Sequence, residues 1–440
     1  MILLFNRYRF LIYFIACLTL PFFANSQERI QMSIYAGESF SAHPDEEVSI
    51  YSDISNSGSF ASTKDSKINF WGQRWENKAG SSMPDESSSG VDGTGGNFIF
   101  GSTASYSQYI SSSYNPLPNS GFPNISLSNS KNVILEGSDL KIRNNLNFES
   151  GHLILNNRNA LILAKASITG YDASKFIVTG TGVNGGFLIR STLGKQQENI
   201  LFPVGTTVDS YTPASLNYIG IAQNLKLRVF ENVYDKAIYG INVHDNFVNK
   251  TWNLSSDLVD PNAKLTLNTQ HNISDEGSQF AIRRNESFIS KFQSITENWD
   301  IISATGLTPG VITSGNSILN AFVSSRTNIS GLYLNEYFSK SVMKSNAIYG
   351  LRIPNGISPN NDGLNDRFII ENLKLTDKVS IDIYNRLQSL VFRDANYKNN
   401  FNGFGNQKGL VTNELPDGTY YYILNFNDSK PIIGYFIINR

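Results

Sequence analysis

The sequence predicts an all-β chain: a β-solenoid-like region, then a β-sandwich, then a smaller β-sandwich at the C terminus. Aromatic residues make up 12% of the chain, with 28 Phe and 21 Tyr, and long Leu/Ala/Glu/Lys stretches are missing. That balance favours strands over helices. Asn, Ser and Gly are abundant, as tight turns require. Apolar residues come in short pulses or strict alternation, the pattern of half-buried strands.

The chain has 440 residues, enough for about three domains. Hydrophobic content is 40% and charged content 17%, which supports packed cores rather than disorder. Lys and Arg number 36 against 37 Asp and Glu, a net charge of -1. Bulk charge therefore gives no attraction to nucleic acid or to an anionic membrane.

The first residues, "MILLFNRYRFLIYFIACLTLPFFANSQE", have Arg7 and Arg9 ahead of the apolar run Phe10–Phe23, then Ala24-Asn25-Ser26. This predicts a secretory signal peptide over 1–26. An uncleaved anchor, or a lipoprotein built on Cys17, are the alternatives. Cys17 is the one cysteine, so a chain cut after Ser26 depends on size and packing rather than disulfides.

Over 27–190 the apolar pulses are Val133–Leu135, Leu140/Ile142, Leu146/Phe148, Leu153–Leu155, Leu161–Leu163 and Ile168, separated by Gly137, Asn144-Asn145, Gly151 and Asn156-Asn157. A strand that short cannot bury its own face, but stacked on the next coil it can, which predicts a β-solenoid-like stack. Ordinary hairpins are the alternative. "SSMPDESSSGVDGTGGN" (81–97) is expected as an irregular excursion. Over 191–340 the segments lengthen: "LKLRVF" (225–230), "AKLTLNT" (263–269), "QFAIRR" (279–284) and "GLYLNEYF" (331–338) read as strands of an antiparallel sandwich. "LFPVGTTVDSYTPASL" (201–216) reads as an ordered turn between strands, and "SKSVMKSNA" (339–347) as a linker.

The last region, 346–440, has strand candidates at 367–371, 379–384, 389–393, 419–426 and 432–438. Val379, Ile381 and Ile383 alternate with Ser380, Asp382 and Tyr384, so one face is buried. Pro416-Asp417-Gly418 makes a tight turn into "TYYYIL". A small β-sandwich accounts for this pattern.

"IPNGISPNNDGLNDRFII", "IDIYNRLQSLVF", "NYKNNFNG", "LPDGTYYYIL" and "GYFIINR" occur here in order. Together, over about 348–440, they resemble the gliding-motility-associated C-terminal domain of Bacteroidetes, the type B sorting domain of the type IX secretion system. The motif positions carried over are Pro359, Asp362, Gly363, Asn365, Asp366, Asn385, Arg386, Pro416, Gly418, Thr419, Tyr420 and Arg440. Asn361 interrupts the usual "PNGDG", Leu387-Gln388 stand where the family has Trp-Gly, and Phe401 replaces a usual Trp. The resemblance implies an Ig-like fold and Sec export to the periplasm. It also implies passage across the outer membrane through the type IX machinery, which is the expected partner. "FPVGTTVDSYTPASL" resembles a recurrent segment of surface proteins of the same group. A folded address offers a receptor a terminal strand edge ("IIGYFIINR"), open to augmentation, and a loop surface held by turns. Arg440 is expected to contribute with the edge.

Chemistry-bearing residues are few. Asn360, Asp362, Asn365 and Asp366 supply hard oxygens around Gly363, as a calcium loop does, but no Glu stands at the twelfth position. The alternative is a rigid turn in which the Asp side chains bond the loop backbone. "GTGVNG" (180–185) has the dinucleotide-binding spacing, yet "GFLIRS" after it reads as a strand, so no helix N-terminus follows. His43, His152, His244 and His271 stand apart, with no HExxH and no G-x-S-x-G; "SVMK" falls in the linker. No cofactor is expected. Trp71 and Trp75, with Tyr106, Tyr109 and Tyr114, make either an aromatic sugar platform or core packing. The expectation is a non-enzymatic, adhesin-like surface protein contacting a glycan or matrix ligand. The alternatives are a carbohydrate-binding module, or a polysaccharide-acting enzyme on a β-helix with an acidic groove.

Overall fold

The computed structural model describes residues 30–102, 106–112, 121–194, 196–312, 320–342, 351–371, 373, 379–410, 412–426 and 431–440. The expected signal peptide, Cys17, Tyr114 and the later part of the expected linker lie outside the described residues. The described chain is mostly β, with several sheets and one short α-helix. It divides into two units: Met1–Glu231, Lys250–Ser274 and Pro309–Glu336 in the first, and Asn232–Asn249, Asp275–Thr308 and Tyr337–Arg440 in the second.

In the first unit one sheet is parallel throughout. Its order is β1 (Gln31–Ile34), β4 (Asp53–Asn56), β7 (Arg74–Asn77), β9 (Gln108–Ser112), β11 (Val133–Leu135), β13 (Leu153–Ile154), β16 (Ile177–Val178) and β19 (Val204–Gly205). A second ladder runs through β3 (Glu47–Ile50), β6 (Lys67–Phe70), β8 (Asn97–Gly101), β10 (Phe122–Ser128), β12 (Leu140–Ser150) and β14 (Ala160–Ile162), with β15 (Ser167–Thr169) beside β12. It stays parallel into β17 (Leu188–Ser191), then turns antiparallel at β21 (Asn224–Glu231) and β22 (Lys250–Ser256). β2 (Ser39–Ala42) and β5 (Ser59–Ser62) make a parallel pair of their own. The Leu140/Ile142 and Leu146/Phe148 pulses are one strand, because Asn144-Asn145 stays extended within β12 instead of turning.

Polar side chains fix the spacing from one pass of the chain to the next. Asp53 Oδ1 accepts the Gln73 amide at 2.8 Å, Asn132 Oδ1 the His152 amide at 2.9 Å, and Asp139 Oδ1 the Asn159 amide at 2.7 Å, each pair 20 residues apart. A buried Asn56–Asn77 pair spans 21. Such bonds satisfy backbone donors that lie outside the ladders. Asn132, Asn156, Asn157, Gly137 and Gly151 sit at positive φ in the turns between pulses, where Asn and Gly are tolerated best.

Between the two ladders lies an aromatic core. Trp75 on β7 is fully buried, with ring centroids 5.3 Å from Phe70, 5.4 Å from Phe98 and 5.7 Å from Phe122. Edge-to-face pairs such as the first two contribute about 0.5–1.5 kcal/mol each beyond their area burial, and the Phe122 ring is tilted against the same indole. Trp75 is therefore core and not part of a surface platform. The excursion over 81–97 is irregular, as expected, and is anchored from inside. The Arg143 guanidinium lies 3.1 Å from Asp85 and donates to the carbonyls of Gly90 (2.7 Å) and Met83 (2.9 Å).

An antiparallel sheet runs β18 (Glu198–Phe202), β20 (Ala214–Ile219), β23 (Asp260–Asn272), β27 (Ala321–Leu332) and β26 (Thr308–Pro309). "LFPVGTTVDSYTPASL" joins β18 to β20 through β19, as an ordered connection. "GLYLNEYF" is not one strand: Tyr333 and Leu334, each 49% exposed, separate β27 from β28 (Glu336–Ser341).

In the second unit β28 pairs with β24 (Phe288–Gln293), and β24 with β25 (Asn298–Trp299). "QFAIRR" is corrected from a strand to the helix α1 (Ser278–Ile282), followed by a 3-10 turn at Arg284–Glu286. Its alternation misleads because only Phe280 is buried, whereas Ile282 is 75% exposed and so gives a strand face nothing to bury.

The C-terminal part of this unit is a five-stranded sheet in the order β29 (Gly356–Ile357), β33 (Ile432–Ile438), β32 (Gly418–Phe426), β30 (Val379–Tyr384) and β31 (Leu390–Asp394). Val379, Ile381 and Ile383 are fully buried, as their alternation requires, and pack with Phe368, Ile370, Tyr397, Phe401 and Phe436. The expected strand at 367–371 does not form. Phe368 and Ile370 are buried, but the Phe368 amide donates to the Phe401 carbonyl, and Asn399 bonds both the amide and the carbonyl of Ile370. A side-chain amide thus stands in for a neighbouring strand.

Candidate functional site

The motif residues singled out in the last region gather at one end of the five-stranded sheet. Ile357 pairs with Ile438, so the "SPNNDGLND" loop leaves the sheet beside the end of β33. Tyr384 pairs with Tyr421, which sets the 385–389 turn beside the start of β32, where Pro416-Asp417-Gly418 enters.

The opening loop is a closed hydrogen-bonded turn. Asp366 accepts the amides of Asn361 (2.7 Å) and Gly363 (2.8 Å). Asp362 accepts the Leu364 amide at 2.8 Å, and Asn360 the Asp362 amide at 3.1 Å. Asn361, Gly363 and Asn365 take positive φ, and the Asn365 carbonyl accepts the Ser358 amide. These bonds are the work expected of a rigid turn. Among the described residues, no group of three or more His, Cys, Asp or Glu side chains is placed to hold a metal ion.

Arg440 ties the chain end to the β32 turn. Its Nη1 donates to the Leu415 carbonyl (2.7 Å) and Asp417 Oδ1 (3.0 Å), and its Nε lies 3.2 Å from Glu414. The Tyr420 hydroxyl donates to the Pro416 carbonyl at 2.8 Å, and burial pushes this phenol's pKa up. Gly403, at positive φ, lies between Pro359 and Arg440; a Cβ there would come within 2.9 Å of the proline ring and 3.0 Å of the guanidinium. Asn385 closes the neighbouring turn by accepting the amides of Leu387 and Ser389, both at 2.9 Å, leaving Arg386 exposed and Leu387 77% exposed at the tip. Gly418, at positive φ, and exposed Thr419 begin β32. Phe401 is fully buried, 4.8 Å from Phe392 and 5.9 Å from Phe436, so the phenyl ring serves the core in the place of an indole.

Residues 351–438 match the family model of the CHU_C type IX secretion signal domain. This C-terminal segment is a CHU_C domain. No curated protein and no solved structure matches the chain. The CHU_C domain directs export by the type IX secretion system, which implies interaction with that machinery and secretion across the outer membrane.

Sequence reading assigned no role to Gly403, Glu414 or Asn399, and it placed Asp417 in the turn before β32 without its bond to Arg440. Also unforeseen was the outer face of the sheet, where Tyr421, Ile433, Tyr435 and Ile437 are 47%, 71%, 60% and 47% exposed. In the first unit, Trp71 lies parallel to Tyr51 (12° between planes, centroids 6.3 Å apart), while Tyr109 stacks with Arg74. "GTGVNG" is a turn leading to β17.

Proposed function

We propose that the protein is a secreted surface protein delivered by the type IX system, and that the turn-bearing end of its CHU_C domain is the surface the machinery reads. The observation that carries this is the gathering of Pro359, Asp362, Asn385, Pro416, Tyr420 and Arg440 at one end of a single sheet, with Asp362, Asn385, Pro416, Tyr420 and Arg440 held by hydrogen bonds within the domain and Pro359 packed beside Gly403. A rigid constellation keeps its shape through transit, as an address must. The strand edge takes a smaller part: β29 covers the Ile437–Ile438 end of β33, which leaves the Ile432–Phe436 stretch for augmentation. We read residues 1–26 as the Sec signal peptide and 346–440 as the sorting domain; the resemblance implies an Ig-like fold for it, and its described residues form one five-stranded sheet rather than two packed sheets.

Ahead of the address stands a non-enzymatic, adhesin-like passenger. Its parallel ladders, with turns and cross-bonds recurring about every 20 residues, are read as the faces of a β-solenoid over 27–190, followed by a sandwich over 191–340. Extended stacks of this kind present long contact surfaces.

The test is fractionation of cells making the full-length chain or a chain ending at 345. The full chain is expected at the surface or in the medium, and the truncated one in the periplasm. Surface delivery of the truncated chain overturns the reading.

A further inference from the structure

On β3, β6, β8, β10, β12 and β15 one set of side chains points into the aromatic core, and the alternate set forms a regular outer face. Registers align Asn97 with Asn124, Asn145 and Ser167 in one column across the strands. The next column holds Asn69, Ile99, Ser126, Asn147 and Thr169, of which Ser126 is covered and serves to hold Asn97. Side chains bond along and between the columns: Asn97 to Ser126 at 3.0 Å, Ser167 to Asn145 at 2.7 Å, and Thr169 to Asn147 at 3.0 Å. The outward alternation continues past Ser49 and Asn69 to Tyr51 and Trp71, the parallel aromatic pair. Tyr51 is 78% exposed, and Gly101 leaves the adjoining position empty of a side chain, with the Trp71 ring 3.4 Å from where a Cβ would lie.

We infer that this face binds a neutral polysaccharide chain laid across the strands, with one sugar ring stacked on Tyr51 and Trp71. The inference rests on the adhesin reading of the passenger and gives it a ligand class. Neighbouring strands lie about 4.8 Å apart, so amides and hydroxyls recur along the ladder as a grid matched to a repeating polymer. Amides and hydroxyls both donate and accept, as sugar hydroxyls do. Aromatic faces pack against apolar surfaces and keep an exposed edge for polar groups. Charge selects within the class. From Asn97 to Thr169 the two columns carry no ionisable side chain; beyond Asn97 the first column continues to Lys67 and Glu47, of opposite charge, so the face offers a polyanion no excess positive charge.

The probe set is microcrystalline cellulose, chitin and an insoluble α-glucan, each sedimented with the purified full chain. At least one is expected to retain the protein. Tyr51→Ala with Trp71→Ala should weaken retention about tenfold or more, the loss expected when a stacking contact is removed. Thr169→Arg, at an exposed position at the far end of the grid, should weaken it without touching the aromatic pair, and unchanged melting temperatures show that both variants are folded. The inference is overturned if none of the three retains the chain, if retention ignores both changes, or if the changes alter self-association in sedimentation velocity instead. Attachment of whole cells with and without the passenger separates the two readings: adhesion that persists while purified protein fails to bind glycan sinks the ligand class and leaves the adhesin standing.

Discussion

Arg440 Nη1 lies 3.0 Å from Asp417 Oδ1, so the last residue of the chain is tied to the turn that starts β32. The same nitrogen donates to the Leu415 carbonyl at 2.7 Å, and the side chain is only 21% exposed. Charged hydrogen bonds to a half-buried carbonyl are worth about 1.5–3 kcal/mol, while the exposed Asp417 adds less. Arg440→Ala should therefore loosen the end of β33 and destabilise the CHU_C domain by about 1–2 kcal/mol. Hydrogen exchange measured on peptides covering 432–440 checks this, and unchanged protection would show the contact to be idle. Arg440→Lys should recover only part of the protection, because an ammonium cannot fork between carbonyl and carboxylate.

The Asp366 carboxylate offers a second test. Its two oxygens already accept the Asn361 and Gly363 amides. With one amide on each oxygen the carboxylate is put to use holding the turn, and among the described residues no group of three or more His, Cys, Asp or Glu side chains is gathered around it to complete a calcium site. The expected result is that calcium and chelator leave the melting of the full chain unchanged and that calorimetry records no binding heat. Asp366→Ala should cost about 1 kcal/mol by releasing two turn amides. A calcium-dependent rise in melting temperature, abolished by Asp366→Ala, would instead restore the metal-loop reading.

Much of this architecture was legible because its cause is local. The alternation of Val379, Ile381 and Ile383 reports which face of β30 is buried, and the paired Asn and Gly residues report turns. What stayed hidden depends on partners distant in sequence. Phe368 and Ile370 look like strand residues, and only Asn399 decides that they are not. Ile282 looks like the inward half of an alternation until no core is found beneath it. Trp71 and Trp75 are four residues apart and chemically alike, yet β7 turns one into the aromatic core while Trp71 stays beside Tyr51. The convergence of Pro359, Gly403 and Arg440 follows from the order of strands in the sheet, which periodicity alone does not encode.

Alkaline pH acts on the CHU_C domain through its buried phenols. Tyr397 is fully buried and its hydroxyl donates to the Phe368 carbonyl, where burial pushes the phenol's pKa well above its ordinary value. Burial likewise raises the phenols of Tyr420 and Tyr422. For each group the folded state binds its proton more tightly than the unfolded state. The stability this contributes is fully present below the unfolded pKa of about 10 and is lost as pH rises beyond it. Unfolding by denaturant should be insensitive to these groups near neutrality and should become progressively easier above about pH 10. Tyr397→Phe should flatten part of that alkaline loss. It should also cost about 1–2 kcal/mol at neutral pH, because the Phe368 carbonyl is left without its donor inside the core. Equal alkaline sensitivity in wild type and Tyr397→Phe would mean that this phenol does not control the transition.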